Sequence, residues 1–186
     1  MTLTHQNIEQ LILLCKSGNH YAQLEIYNRY YKAMYNTAHR ILKDKYEAED
    51  IMQDSFLTAF TKLDSLKETI NFGAWLKRIV INNSIYHFNR GHKYNEIPLE
   101  EVLYKVEGHT EIAKNTDFNS VKAKQVLATL KTLKNNYRIA LTLHLIEGYD
   151  YEEISDIMNI SYANCRTTIS RAKEKLRQTL QPIAEY

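Results

Sequence analysis

Apolar residues return every three to four positions along almost the whole chain, and few residues that turn or break a helix interrupt this period. Five glycines and two prolines in 186 residues leave little material for the turns that many short strands would need, so the expected class is all-α. Ile8, Leu11, Ile12 and Cys15 start the pattern, and Gly18-Asn19 supplies the left-handed backbone that closes a helix. Ala22, Ile26, Tyr27, Tyr30, Met34, Ala38, Ile41 and Leu42 then hold the step for about six turns. Asp44 with Glu47 three residues on is a capping-box pattern, and Ala48, Ile51, Met52, Ser55, Phe56, Ala59, Phe60 and Leu63 form the stripe that follows it. Residues 64–71 are polar without a sustained period and read as a loop. Asn71 stands where it can cap a fourth helix carrying Phe72, Trp75, Leu76, Ile79, Val80 and Asn83, with Gly91 as its expected stop.

From residue 92 the pattern dissolves. Pro98 and Gly108 interrupt it and acids outnumber bases, which marks 92–120 as an acidic flexible linker. Helical spacing resumes with Val121, Val126, Leu127, Leu130 and Leu133, then Ile139, Leu143 and Ile146 up to Gly148. The expected organisation is therefore two small helical domains, 1–91 and 121–186, on a tether. The net charge of +2 hides a segregation that carries more information than the sum. Lys77, Arg78, Arg90 and Lys93 form one basic stretch and Arg166, Arg171, Lys173, Lys175 and Arg177 a second. Glu47, Glu49, Asp50 and Asp54 are acidic, as are Glu96, Glu100, Glu101, Glu107 and Glu111 in the linker. Such alternation points to different partners for different segments.

The C-terminal module contains a helix-turn-helix pattern. Asp150 and Glu153 form a second capping box, and Ile154, Ile157 and Met158 face inward behind it. Asn159-Ile160-Ser161 is a tight turn, with Ser161 placed to cap a helix whose inner stripe is Cys165, Ile169, Ala172 and Leu176. Its outer face presents Asn164, Arg166, Thr167, Ser170, Arg171 and Lys173, the donors that base edges and phosphates require. A charge run alone is more often a solvated face; turn, caps and asymmetric faces together point to DNA.

A helix-turn-helix by itself would also suit a stand-alone dimeric transcriptional regulator, so the first module has to discriminate. The string Glu47-Ala48-Glu49-Asp50-Ile51-Met52-Gln53-Asp54-Ser55-Phe56 closely resembles the polymerase-binding helix of bacterial sigma factors. Phe72-Gly73-Ala74-Trp75-Leu76-Lys77-Arg78-Ile79-Val80-Ile81-Asn82 resembles the promoter-melting helix of that family, and residues 133–176 resemble the segment that reads the upstream promoter element. Two modules with only a tether between them look like the extracytoplasmic-function (ECF) type. Leu133-Lys134 stands where the family often has Leu-Pro, and Ala163-Asn164-Cys165 where it often has Gly-Thr-Val.

The resemblance implies a factor that binds core RNA polymerase and directs promoter-specific initiation, with no reaction of its own. Glu49, Asp50, Gln53 and Asp54 would meet the coiled-coil clamp of the polymerase large subunit. Ser65, Lys67, Thr69, Asn71 and Phe72 would form a pocket for a base of the minus-ten element that has left the stack. Trp75 would stack at the edge of the melted region or belong to the core. Lys77, Arg78, His87 and Arg90 would line the outer face of this helix, and Asn82 would touch a base. Asn164, Arg166, Thr167, Ser170, Arg171 and Lys173 would read the minus-thirty-five element, while the acidic linker would run along a basic RNA exit path.

An inhibitory anti-sigma factor is a further expected partner, since two DNA-reading modules on a tether can be sequestered together. No phosphate-binding glycine loop, nucleophile motif or acid–base pair argues for an enzyme. The seven histidines lack ligand spacing, so no metal and no cofactor are expected. Cys15 and Cys165 fall on inner stripes and read as buried thiols, and most of the fourteen tyrosines as core or its rim. The N-terminus lacks the order of a secretion signal and no run is long enough to cross a bilayer, so the expected location is cytoplasmic, with no membrane insertion.

Overall fold

A computed structural model describes residues 3–94 and 118–180, with side chains described at 3–91 and 122–180. Among the described residues every regular element is helical, and the chain divides into two compact units, Met1–Arg90 and Gly91–Tyr186.

In the first unit α1 (Ile8–Lys16) and α2 (His20–Leu42) form a hairpin, and α3 (Lys45–Thr61) packs along α2. The turn between α1 and α2 uses Gly18 at φ 83, and Asn19 accepts the N–H groups of Tyr21 and Ala22. Asn7 and Gln10 cap α1 reciprocally, a box the sequence reading did not single out. Leu11, Ile12, Ala22, Ile26, Met34, Ala38, Ala48, Met52 and Phe56 form one core with Phe72, Leu76 and Val80 of α4 (Phe72–Tyr94). Arg29 holds the N-terminal strand of chain to this body. Its guanidinium pairs with Glu25 at 2.7 Å and donates to the carbonyls of Gln6 (2.8 Å), Thr4 (2.9 Å) and Leu3 (3.3 Å).

Four expectations need correction here. Glu47 does not close a capping box: Asp44 accepts the N–H groups of Tyr46 and Glu47, while the Glu47 carboxylate lies 3.4 Å from His87 Nε2 on α4. The 64–71 segment is partly ordered into single 3-10 turns, Leu63–Ser65 and Thr69–Asn71, pinned by buried Leu63 and Leu66. Gly91 does not stop the fourth helix, which runs on to Tyr94. Gly costs a helix only about 1 kcal/mol relative to Ala and forbids nothing. α5 (Phe118–Thr132) begins before 121, because Phe118 stands three residues ahead of Val121 and extends the period back one turn. The rest of the expected linker, 95–117, lies outside the described residues.

Gly73 shows why a small residue follows Phe72. A β-carbon there would stand 3.0 Å from Tyr30 Cε1, and the Tyr30 ring is held edge-on against Phe72 with centroids 5.4 Å apart. Alanine would gain at most about 1 kcal/mol of helix propensity and lose roughly 1–3 kcal/mol to crowding. Gly73→Ala is therefore expected to destabilise the first unit by about 1 kcal/mol in chemical denaturation. A more stable variant would mean the ring yields.

The second unit contains α5, α6 (Asn135–Leu141), α7 (Tyr151–Met158) and α8 (Tyr162–Leu180). Lys134 opens α6 at φ −53, ψ 143, the backbone that proline prefers, which accounts for the Leu-Pro common at this place. Beyond α6 the chain does not continue as the regular helix that Ile139, Leu143 and Ile146 suggest. It widens into a π turn, Thr142–Ile146, with the Glu147 N–H bonded to the Thr142 carbonyl. Leu141, Leu143, Ile154, Cys165 and Ile169 are buried in this unit. Arg138 is buried with them, 2% exposed, and donates to Asn135 Oδ1 at 3.3 Å. Burial lowers its pKa to about 10, so it is still cationic at neutral pH.

Candidate functional site

Three exposed helix faces carry the residues singled out from the sequence. The first is on α3. Ser55 is fully buried, donates to the Ile51 carbonyl at 2.6 Å and accepts from Asn83 Nδ2 of α4 at 3.0 Å. This polar clamp joins the stripe of Ala48, Met52, Phe56 and Ala59 in fixing which side of α3 faces inward. Glu49, Asp50, Gln53 and Asp54 are in consequence all exposed. Two further residues share their side. Tyr46 lies one turn before Asp50 and is 81% exposed; Leu57 lies one turn after Gln53 and is 65% exposed. The face is thus acidic at its middle and apolar at both ends. Tyr46 and Leu57 lie off the apolar stripe of α3, and spacing gives no reason to single out an exposed aromatic or aliphatic residue there.

The second face spans residues 65–90. Ser65, Lys67 and Asn71 are exposed and Thr69 half-buried, with Ile70 exposed between them. The Ser65 hydroxyl donates to the Lys62 carbonyl at 2.7 Å, and the Asn71 amide donates to Glu68 at 2.6 Å. Phe72 does not belong to this group. It is 0% exposed, packed against Tyr30 and 5.9 Å from Trp75, so it is a core residue that seats the start of α4. Trp75 is half-buried against the same core. Lys77, Arg78 and His87 are half-buried, and Asn82 and Arg90 exposed. Tyr86, 70% exposed, lies four residues after Asn82 and shares its side of α4, as does exposed Asn89. Neither was picked out from the sequence. None of the described tyrosines is fully buried.

The third face is on α8. The Asp150–Glu153 box is complete in both directions, at 2.8 and 3.0 Å, and Asn159 takes the left-handed conformation at φ 52, ψ 51. Ser161 Oγ accepts the Asn164 N–H at 3.2 Å. With Cys165, Ile169, Ala172 and Leu176 buried, Asn164, Arg166, Thr167, Ser170 and Arg171 project outward. The Asn164 side chain accepts from the Thr168 hydroxyl at 3.2 Å, and Thr167 bonds back to the Ala163 carbonyl. Lys173 departs from the expected group. It is half-buried at the edge of the inner stripe, its ammonium 3.0 Å from His144 Nε2 and 6.0 Å from the Tyr151 ring centroid.

Both cysteines are free and buried. Burial pushes the Cys15 thiol up to about 11 and raises that of Cys165, so both stay protonated rather than becoming thiolates. Among the described residues no cluster of His, Cys, Asp and Glu is arranged to hold a metal, and no helix is long and apolar enough to cross a membrane.

The comparisons with known proteins agree with this division of the chain. Residues 26–93 match the family description "Sigma-70 region 2" and residues 123–176 match "Sigma-70, region 4". The ECF RNA polymerase sigma factor SigM of Bacillus subtilis is 32% identical over 154 residues, covering 82% of this chain and 91% of that protein. The chain belongs to the ECF sigma factor family. The RNA polymerase sigma-H factor of Pseudomonas aeruginosa is 27% identical over 188 residues and matches 97% of each chain. The same fold occurs in solved structures. CnrH, in complex with the cytosolic domain of CnrY, superposes with a TM-score of 0.53 at 23% identity, covering 96% of this chain and 99% of that one. The sigma factor RpoE of Bartonella quintana, in complex with the anti-sigma factor NepR, gives 0.56 at 21% identity, covering 84% and 95%. As an ECF sigma factor the chain directs transcription initiation by RNA polymerase, and a stand-alone dimeric regulator is not favoured.

Proposed function

We propose that the three faces divide the work of initiation. Glu49, Asp50, Gln53 and Asp54 on α3 bind the core enzyme, with Tyr46 and Leu57 as apolar anchors at the two ends of that contact. An acidic surface steers and pairs with a basic partner, and desolvated apolar anchors add to the hold. The 65–71 segment, with Ser65, Lys67, Thr69 and Asn71, receives an extruded base of the minus-ten element. Along α4, Lys77, Arg78 and Arg90 meet phosphates and Asn82 a base edge, with Trp75, Tyr86, His87 and Asn89 at their side. Arg166, Arg171, Asn164, Thr167 and Ser170 on α8 read the minus-thirty-five element. The domain limits 1–91 and 121–186 follow, shifted by the helical ends found at Tyr94 and Phe118.

The observation that carries this reading is the opposition of exposed acids on α3 to exposed donors on α8, each on a helix whose other side is locked into its own core. On it the protein acts in the cytoplasm, catalyses no reaction itself and takes an anti-sigma protein as inhibitor, as the sigma factor RpoE of Bartonella quintana is seen in complex with the anti-sigma factor NepR. Run-off transcription on a library of genomic fragments tests it. Specific start sites should appear only when chain and core polymerase are both present. Tight binding of the free chain to palindromic duplex, with no start sites, would reject it.

A further inference from the structure

With lysine, the stronger base, as the charged partner, the contact between His144 and Lys173 has one consistent arrangement of protons. The Tyr149 carbonyl, 3.2 Å from His144 Nδ1, accepts and cannot donate, so Nδ1 carries a hydrogen. An ammonium donates and cannot accept, so Nε2, 3.0 Å from Lys173 Nζ, offers its lone pair. Both conditions hold only for the neutral imidazole protonated on Nδ1. A second proton would put an N–H against an ammonium, two like charges in contact.

The contact is also structurally placed to matter. His144 belongs to the π turn, Tyr149 to the connection that follows, Tyr151 to α7 and Lys173 to α8. The His144 and Tyr151 rings lie 5.1 Å apart, and the ammonium of Lys173 stands near the Tyr151 face. The π turn, the connection after it, α7 and α8 thus meet at one imidazole, while α5 and α6 pack on α8 elsewhere. Asp150, Glu152 and Tyr162 line the open cleft beside it, and Asp150 is engaged in capping α7.

We propose that His144 is a positioning residue for the upstream-element contact: its neutral ring clasps Lys173, and this brace holds α8 at the angle that promoter binding needs. The proposal rests on the reading of α8 as the helix that meets the minus-thirty-five element. Lys173 then serves within the module instead of on the DNA.

The test uses holoenzyme assembled from the full chain and core polymerase, on duplex carrying the upstream element, and compares His144→Gln with His144→Ala. His144→Gln keeps an oxygen that can accept from Lys173 and should bind within about twofold of wild type, whereas His144→Ala removes the acceptor and should weaken binding by about tenfold. Equal affinity of the two variants would overturn the brace. Arg171→Ala separates the two layers. If it leaves affinity unchanged, the reading of α8 falls and takes the brace with it; if it weakens binding while His144→Gln and His144→Ala bind alike, the brace alone is lost. Nitrogen-15 shifts of His144 in the full-length wild type give a check that needs no variant. The Nδ1–H tautomer is expected, and the Nε2–H tautomer would refute the proposal.

Discussion

Asp50→Ala combined with Gln53→Ala should cost the chain most of its affinity for core polymerase, a loss of tenfold or more, and leave its folding unchanged. Both side chains are exposed on the side of α3 away from the Ser55 clamp, so neither holds the helix in place. Their removal deletes surface chemistry and leaves the buried stripe of Met52, Phe56 and Ala59 intact. Residues near the middle of an interface commonly cost on the order of 2 kcal/mol or more each when truncated, and Asp50 and Gln53 lie between the apolar ends formed by Tyr46 and Leu57. Titration of labelled chain with core enzyme measures the loss, and circular dichroism melting checks the fold. Retained affinity would overturn the assignment of this face. Two controls sharpen it. Asp54→Asn should act on the association rate and on the salt dependence, because a peripheral charge steers encounter. Leu57→Ala should act on dissociation with little change in salt dependence. Equal salt slopes for wild type and Asp54→Asn would remove the steering role.

Much of the fold was readable because its signals are local. The Asp150–Glu153 box, the turn at Asn159 and the Ser161 cap each need residues within one helical turn of one another, and all three stand as the spacing predicted. What escaped depends on partners far along the chain. Glu47 has capping-box spacing from Asp44, yet its carboxylate is drawn to His87 on another helix. Phe72 and Trp75 share one side of α4, and spacing alone cannot tell that Tyr30 closes over the first and leaves part of the second open. Tyr46, Leu57 and Tyr86 escaped for another reason: they lie off the apolar stripes, and a scattered exposed apolar or aromatic residue is ordinary on a protein surface. The π turn at Thr142–Ile146 inserts an extra residue into a period that still reads as helical. That turn carries His144, which meets Lys173, so the half-burial of Lys173 and the unforeseen turn belong to one contact.

Arg166→Ala and Arg171→Ala should each weaken recognition of the minus-thirty-five element, and their combination should nearly abolish it. A guanidinium paired with the acceptor edge of guanine contributes about 1–3 kcal/mol of discrimination, and the loss of a phosphate contact from the same helix adds to it. They sit at different turns of α8, both exposed, while Cys165, Ile169 and Ala172 on the other side keep the helix docked. Base contacts and phosphate contacts predict different outcomes. A lost base contact relaxes the preference at one promoter position and leaves the salt dependence close to wild type, whereas a lost phosphate contact weakens binding to every sequence and lowers the salt slope by about one. Arg171 lies four residues past Thr167 and seven past Asn164 on the centre of the outer face, so the first pattern is expected of it. Arg166 lies toward the edge that also carries Lys173 and Arg177, where the groove wall would pass, so the second is expected there. Competition among single-base promoter variants at two salt concentrations separates the two. Unchanged selectivity in both variants would take α8 out of promoter recognition.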